Sequence, residues 1–287
     1  MLYPATDTVS PTVESRTAYP TDTTPEEWAI IAPFLCSVAT TGRPRAWPEN
    51  DIDNAILYVL RGGIAWALLP RTFPPYQTVY RWFRHWTQKG VWILAMDAIR
   101  ARLRVALGRQ ELPTAASIDS QSIKTGPGAR DTGYDGGKKV KGRRRHLVVD
   151  ANGLLLWAVV TPANRSEQTE ASSSIPTIAD RFPTITRIWA DGGFSGEPLR
   201  LVAVTKNSVL EFVEKLVGQI GFAPLPRRWV IERTFSWLCR CRRLARDYEV
   251  TIESATGFLY LAALALMTRQ LATNAVGPWP KKRPEQL

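Results

Sequence analysis

Two aspartates each end a short apolar segment of the kind that forms a buried strand. Asp119 follows residues 115–118, and Asp191 follows residues 185–190. A carboxylate at the end of a central strand faces the crevice in which α/β sheets bind ligands. If the two strands are neighbours, both carboxylates supply the hard oxygen ligands that Mg²⁺ or Mn²⁺ prefers. The alternative is that each aspartate only caps a turn, and the Asp-Gly-Gly sequence at 191–193 fits a turn well.

A third acidic candidate, Glu232, lies in an arginine-rich segment with helical spacing. A helix there places Glu232 on one face with four other polar residues, Arg228, Ser236, Arg240 and Arg243. The opposite face would pack on the core through Val230, Trp237 and Leu244. This pattern predicts a third metal ligand beside arginines that hold phosphates. The alternative is a solvated ion pair on the helix surface, worth roughly 0.3–0.5 kcal/mol.

The chain is strongly basic. Its 287 residues include 37 Lys and Arg against 26 Asp and Glu, for a formal net charge of +11. Because basic side chains neutralise phosphates and release counterions, this balance favours a nucleic acid partner over an anionic membrane. Much of the charge lies in one run, Lys138, Lys139, Lys141, Arg143, Arg144 and Arg145. Beside a metal site that acts on nucleic acid, we expect this run and Lys124 to contact phosphates, whereas in isolation such a run is typical of a solvated loop.

The elements ahead of these residues are predicted to be helical. Thr24 and Pro25, followed by two glutamates, are typical of a helix start. Further helices are expected at about 48–60, from Tyr76 onwards and at about 91–107. The third of these helices has an apolar stripe at helical spacing, formed by Val79, Trp82, Phe83 and Trp86.

The other faces of this third helix are polar. They carry four candidate DNA-reading residues, Gln77, Thr78, Arg81 and Arg84. Several short helices with a polar third one predict a helix-turn-helix-like DNA-binding module. The alternative is a helical packing domain that serves dimerisation.

The second half of the chain predicts a mixed α/β domain with a central sheet. Strands are expected at 115–118, 145–150, 154–162, 185–190 and 209–213, and helices at about 167–181, 196–206, 226–247 and 252–272. We therefore divide the chain into a disordered tail at 1–20, a helical DNA-binding domain at 21–110, a catalytic domain at 111–273 and a flexible tail at 274–287.

Several classes of protein are disfavoured by composition. Three cysteines without a CxxC pair and two histidines, His85 and His146, do not suit a zinc site or a disulfide framework. The longest apolar stretch, at 255–272, contains polar residues and is predicted to be a buried helix rather than a membrane span. We expect a soluble, cytoplasmic protein.

The motifs around these residues resemble those of bacterial insertion-sequence DDE transposases. The resemblance covers about residues 19–272, including the helical segments at 57–63 and 78–80. Its most specific parts are DSQSIKT at 119–125, GGKKVKGRRRH at 136–146, ADGG at 190–193 and PRRWVIERTF at 226–235. Members often carry a basic residue seven positions after the glutamate, whereas here Cys239 holds that position and Arg240 follows.

The resemblance implies a ribonuclease-H-like mixed five-stranded sheet flanked by helices, with Asp119 on the first strand, Asp191 after the fourth and Glu232 on a late helix. It also implies two Mg²⁺ or Mn²⁺ ions held by these carboxylates. The implied reaction is strand cleavage at terminal inverted repeats followed by strand transfer into target DNA.

The implied partner is DNA, bound by a homodimer in the nucleoid, with neither a membrane nor a small-molecule substrate. Two rival interpretations remain. One is a metal-dependent nuclease of the same fold, and the other is a non-catalytic, transposase-derived DNA-binding protein.

Overall fold

The computed structural model describes residues 17–35, 46–194, 209–212 and 229–274. Its first part is helical, as predicted. Helices α1 (Pro25–Leu35), α2 (Glu49–Gly62), α3 (Tyr76–Gln88) and α4 (Val91–Ala106) follow one another, with a 3-10 turn at Trp66–Leu68. Most of residues 1–20 and 274–287, for which we predicted tails, lie outside the described residues.

The ends of the first two helices follow from their sequence. At the start of α1, the Thr24 hydroxyl accepts a hydrogen bond from the Glu27 amide at 3.1 Å, and the Glu27 carboxylate accepts one from the Thr24 amide at 2.9 Å. This reciprocal pair satisfies two amides that a helix start leaves unpaired. Helix α2 ends where Gly63 adopts a left-handed φ of 71°, which glycine tolerates without strain.

The central sheet is mixed. It is built from β1 (Ala115–Lys124), β2 (Gly133–Asp135), β3 (Val140–Asp150), β4 (Leu155–Pro162), β5 (Arg187–Ala190) and β6 (Val209–Phe212). The strand order is β2-β3-β1-β5-β6, and β4 also pairs with β3. Strands β1, β5 and β6 are parallel, while β3 is antiparallel to β1 and to β4. The ribonuclease-H-like α/β class is therefore confirmed, with the short strand β2 as an unpredicted addition.

Helix α5 (Glu167–Arg181) connects β4 to β5, and a 3-10 turn at Gly192–Phe194 follows β5. The helix predicted at 226–247 is corrected, because the structure has α6 (Trp229–Leu238) and a separate short α7 (Arg242–Ala245). The chain then enters α8 (Ile252–Thr273). The helix predicted at 196–206 lies outside the described residues.

Each face of the sheet packs on a different hydrophobic cluster. On one face, Ala116 and Ile118 pack against Ile175 and Ile178 of α5. The other cluster joins the sheet to α6, α8 and the helices of the N-terminal part. Because successive side chains of a strand alternate between the faces, Asp119 lies on the face opposite α5. This is the face over which α6 packs.

Helix α8 lies at the centre of the second cluster. It packs against α4 and β4, and most of its side chains are buried. By length and composition this helix is apolar enough to cross a membrane, yet 72% of its most apolar window is buried inside the protein. The prediction of a buried core helix is confirmed.

Candidate active site

The register between β1 and β5 brings Asp119 and Asp191 together. Ala115 pairs with Arg187 and Ser117 pairs with Trp189 in a parallel ladder. Continued by two residues, this register sets Asp119 opposite Asp191. Neighbouring strands lie about 4.8 Å apart, and residues opposite each other in a parallel pair point to the same face. On this continued register the two aspartates lie near each other, just past the last paired residues, Ser117 and Trp189.

Asp119 lies within β1 rather than at its end, which corrects the predicted strand boundary. Strand β1 continues to Lys124, paired throughout with β3. The polar residues that follow Asp119 fit into the strand because they find partners. The Ser120 hydroxyl donates to Glu167 at 2.6 Å, and the Ser122 hydroxyl donates to Asp135 at 2.5 Å.

Both aspartates are half-buried and accept backbone hydrogen bonds. The Ser120 amide donates to Asp119 Oδ1 at 2.6 Å, and the Gly193 amide donates to Asp191 Oδ1 at 3.0 Å. Asp191 thus caps the turn that follows it, as the alternative interpretation expects. An ionised carboxylate offers about four lone-pair sites, so a turn contact is compatible with metal binding.

Glu232 is exposed on α6, which packs against β1 and β3. In the middle of α6, the Thr234 hydroxyl donates to the Gly153 carbonyl at 2.9 Å. Just past the C-terminal end of α6, Cys239 Sγ lies 3.9 Å from Gln121 Oε1 of β1. Within the part of the chain that the structure describes, no three His, Cys, Asp or Glu side chains form a group that could hold a metal ion. The roles of Asp119, Asp191 and Glu232 as metal ligands therefore stay predictions.

The basic run divides into an exposed half and a buried half. Lys138, Lys139 and Lys141 are exposed in and after the turn between β2 and β3. The three arginines that follow are buried within β3, with relative exposures of 0% for Arg143, 8% for Arg144 and 3% for Arg145. We therefore correct the prediction that these arginines contact phosphates, because each guanidinium is hydrogen-bonded inside the protein.

Arg143 ties β3 to the loop before α8. Its guanidinium donates to Asp247 at 3.1 Å and to the backbone carbonyls of Glu249 at 3.0 Å and Val250 at 2.8 Å. A buried charge is tolerated only when it is paired and hydrogen-bonded. Arg143 therefore stabilises the fold and is not available to phosphates.

Arg144 and Arg145 point to opposite faces of β3. Arg144 donates to Asp135 at 2.5 Å, and Arg145 donates to the Leu244 carbonyl at 2.7 Å. Burial lowers the pKa of the Arg145 guanidinium, and Asp247 partly counters this effect. Both arginines hold neighbouring elements in place.

Arg243 needs the same correction. It does not continue the polar strip of α6, since the helix is interrupted before it, and it is only 7% exposed. Its guanidinium donates to Glu249 at 2.7 Å and to the Ile64 carbonyl at 2.8 Å. Arg240 and Lys124 are exposed, whereas Arg228 lies outside the described residues.

Helix α3 has the two faces that its sequence predicts. Val79, Phe83 and Trp86 are fully buried in the core. The candidate DNA-reading residues lie away from it: Gln77, Arg81 and Arg84 are exposed, and Thr78 is half-buried.

Two acidic residues near the site were not predicted. Asp135 accepts hydrogen bonds from the amides of Gly137 and Lys138 at 3.1 and 3.0 Å, which fixes the turn that carries the exposed lysines. Burial alone would raise the pKa of Asp135, but hydrogen bonds from Ser122, Lys138 and Arg144 hold it well below its usual range.

The second unpredicted residue is Glu167, the first residue of α5. In the sequence, Ser166 and Glu167 are typical of a helix start, so their pattern suggests a capping role and nothing more. His146 of β3 is uncharged at neutral pH, because burial and then nearby Arg144 lower its pKa to about 3.

Two family models match this chain. The family described as "Transposase DDE domain" matches residues 110–268, and "Putative transposase of IS4/5 family" matches residues 24–96. The "Putative transposase for insertion sequence element IS402" of Burkholderia cepacia is 32% identical over 145 residues, 48% of this chain and 65% of that protein. The chain thus spans just under two thirds of that relative's length.

Among solved structures, the catalytic core domain of BIV integrase is similar over 53% of this chain and 82% of that chain, at 16% identity and a TM-score of 0.35. The family match is more extensive. Because it covers residues 110–268, more than half of the chain, the protein belongs to the transposase DDE domain family.

Proposed function

We propose that this protein is a DNA transposase that cuts at the terminal inverted repeats of an insertion sequence and joins the freed ends to target DNA. The observation that carries the proposal is the parallel β1–β5 register, which pairs Ser117 with Trp189, two residues before Asp119 and Asp191. It supports the proposal because phosphoryl transfer on DNA needs clustered carboxylates on rigid elements. Residues on central strands meet that requirement.

The proposed reaction has two steps. Water attacks a phosphodiester at the element's end, and the bond to the 3′ oxygen breaks to leave a free 3′-hydroxyl. This hydroxyl then attacks a phosphodiester of the target, forming one new ester bond and releasing a target 3′-hydroxyl. Asp119 and Asp191 position the reacting phosphodiester, and Glu232 on α6 is the third carboxylate of the site. Positioning and electrostatics supply most of the rate, so no protein nucleophile is needed.

The donor set fits a divalent metal, which the family requires in general. Asp119 and Asp191 offer the oxygen ligands that Mg²⁺ and Mn²⁺ favour. We propose two ions, which Asp119, Asp191 and Glu232 would hold. When bound, such ions activate the attacking oxygen and stabilise the leaving oxygen.

The proposed DNA surface consists of exposed basic residues around these carboxylates. It includes Lys138, Lys139 and Lys141 beside the β2–β3 turn, Lys124 at the end of β1, and Arg240 after α6. Arg228 belongs to the proposal on its sequence position alone. Helix α3 would contact the terminal repeats through Gln77, Thr78, Arg81 and Arg84.

Two further features follow from the proposed reaction. Joining both ends of an element requires the ends to be held together, which a homodimer does by binding one end with each copy. We also propose that the protein works on chromosomal DNA in the cytoplasm, in association with the nucleoid.

The test is cleavage of linear DNA that carries the element's own ends, in Mg²⁺, in Mn²⁺ and in EDTA. The wild type is compared with Asp119→Ala, Asp191→Ala and Glu232→Ala. The matched control is Glu253→Ala, since Glu253 is also an exposed acidic residue in the first turn of a helix. We expect metal-dependent cuts that all three variants lose and the control keeps, with DNA binding retained throughout.

A non-catalytic DNA-binding protein is the second candidate, and one observation favours it. Among residues 17–35, 46–194, 209–212 and 229–274, no acidic group of three is assembled for a metal. If the protein only binds DNA, the wild type binds the element's ends but cuts them with neither Mg²⁺ nor Mn²⁺, and Asp119→Ala binds them equally well. Joining of a pre-cut end then separates a transposase from a simple nuclease, which gives no joined product.

A further inference from the structure

Glu167 contacts Ser120 of β1, the turn that carries Asp191 and the exposed Lys138. It is the first residue of α5, and its side chain is only 15% exposed. The Ser120 hydroxyl, one residue after Asp119, donates to Glu167 Oε1 at 2.6 Å. A short contact of this kind between a hydroxyl and a carboxylate is a strong, charge-assisted hydrogen bond. Glu167 is thereby tied to β1 beside the first aspartate.

The other carboxylate oxygen of Glu167 lies against the turn that carries Asp191. A Cβ atom added to Gly193 would stand 2.3 Å from Glu167 Oε2 and 3.0 Å from Asp191 Oδ1. Only a residue without a side chain leaves room for both carboxylates there. The Gly193 amide also donates to Asp191. Glu167 and Asp191 therefore contact the same residue of the same turn.

Two cations reach Glu167 from the β2–β3 side. Lys138 Nζ lies 3.5 Å and an Arg144 nitrogen lies 3.7 Å from Glu167 Oε1. Arg144 is itself fixed by Asp135 at 2.5 Å, so this side of the contact is rigid. One carboxylate thus joins the strand of Asp119, the turn of Asp191 and the hairpin that presents the lysines.

We propose that Glu167 is a positioning residue that, through Ser120 and the turn at 191–194, holds Asp119 and Asp191 in place for metal binding. This inference rests on the proposed function, because it concerns the same site. Removing the charge weakens the hydrogen bond from the Ser120 hydroxyl and leaves Lys138 without this acidic partner, whereas Arg144 keeps Asp135. Loss of a residue that orients metal ligands typically costs about 10–100-fold in metal affinity or activity.

The test uses the full chain with Glu167→Gln, which keeps the shape of the side chain and removes its charge. The matched control is Glu170→Gln, one helical turn further along α5, where Glu170 is buried and paired with Arg165 at 2.8 Å. Mn²⁺ binding is measured by calorimetry without DNA, unfolding by thermal melting, and end cleavage as kcat and KM separately.

We expect Glu167→Gln to weaken Mn²⁺ binding about 10–100-fold and to lower kcat, with KM for DNA unchanged. Glu170→Gln should change only the melting temperature. Gly193→Ala places a methyl group against the Glu167 carboxylate, disturbs the contact between Glu167 and the turn at 191–194, and should also weaken Mn²⁺ binding. It keeps the inference testable if Glu167→Gln fails to fold.

Equal Mn²⁺ affinity in Glu167→Gln, Gly193→Ala and the wild type would overturn the inference, as would an equal loss in Glu170→Gln. Asp119→Ala and Asp191→Ala separate this failure from that of the proposed function. If they abolish Mn²⁺ binding while Glu167→Gln does not, only the role of Glu167 is rejected. A wild type that binds no Mn²⁺ rejects the proposed function and this inference together.

Discussion

At the scale of single residues, the N-terminal helices contain a carboxylate whose protonation controls their stability. Asp53 of α2 is 0% exposed, and among the described residues neither of its oxygens has a hydrogen-bond donor. Burial, and then the nearby Glu27, raises its pKa from 3.8 to about 7. The folded protein therefore retains a proton on Asp53 at pH values where the unfolded chain has lost it.

The sign of the pH effect follows from this difference. Between about pH 4 and pH 7 the folded state binds one proton more than the unfolded state, so the unfolding free energy falls as pH rises. Above pH 7 the buried Asp53 carboxylate destabilises the folded state by the full amount, about 4 kcal/mol, which corresponds to a pKa difference of about three units. We predict that Asp53→Asn stabilises the protein by a few kcal/mol at pH 8 and has little effect at pH 4.

Urea unfolding of Asp53→Asn and the wild type at the two pH values measures this difference. Asp51→Asn, at a half-buried acidic position of the same helix, serves as the control for replacing a carboxyl group by an amide. An equal effect of Asp53→Asn at both pH values would contradict the account.

At the scale of elements, β3 carries an exposed lysine at its start and buried arginines further along, where neighbouring elements cover the strand. Lys141 is exposed, whereas Arg143, two residues later, is buried against Asp247. Removing one partner of a buried ion pair leaves an uncompensated charge and costs about 3–5 kcal/mol. We predict a loss of that size for Arg143→Leu, measured by thermal or urea unfolding.

Lys141→Ala should behave in the opposite way. We predict a stability within about 0.5 kcal/mol of the wild type, because the side chain is in solvent. Its DNA affinity should fall, and the slope of log affinity against log salt should become smaller by about 0.9, the contribution of one phosphate contact. A salt titration of DNA binding measures this slope, and an unchanged slope would remove Lys141 from the DNA surface.

The sequence was sufficient to predict most elements, since helices such as Glu167–Arg181 have clear caps and spacing. Two features depend on contacts that lie far apart in the chain. Strand β2 has a sequence, Gly-Tyr-Asp, with weak strand preference, and it forms because it pairs with β3. The interruption between α6 and α7 follows a segment of continuous helical pattern, and Arg243 beyond it is held by Glu249 and Ile64.

The candidate site likewise contains residues that the local sequence predicts and residues that depend on distant contacts. The strand-end pattern indicated both Asp119 and Asp191, because apolar runs followed by a carboxylate are visible locally. The burial of Arg143 was not visible locally, since its partner Asp247 is 104 positions away. Glu167 was not predicted for a similar reason, because its partner Ser120 is 47 positions away in the chain.

At the scale of the whole molecule, α8 joins the helical part to the sheet in one hydrophobic core. Phe258 of α8 stacks on Phe83 of α3 at 4.4 Å between ring centroids. Tyr260 of the same helix receives a hydrogen bond from the Ala158 amide of β4 at 2.9 Å. The division at about residue 110, which remains a proposal, therefore separates two sequence regions that share a core.

This shared core predicts a single cooperative unfolding transition. Phe258→Ala should destabilise the whole protein by about 3–5 kcal/mol, because it leaves a cavity between the two regions. Circular dichroism and tryptophan fluorescence should give the same melting temperature, lowered together in the variant, while Glu253→Ala should leave it unchanged. Two separate transitions would show that the regions unfold independently.

The claim that Asp119 and Asp191 hold a catalytic metal is tested most directly by exchanging each for cysteine and changing the metal. Cleavage of the element's ends is measured with Mg²⁺ and with Mn²⁺. A thiolate is a softer ligand than a carboxylate and tolerates Mg²⁺ poorly. We predict that Asp119→Cys and Asp191→Cys are inactive with Mg²⁺ and regain cleavage with Mn²⁺. Cleavage with Mg²⁺ at the wild-type rate, or an equal loss with both ions, would contradict direct metal binding by these residues.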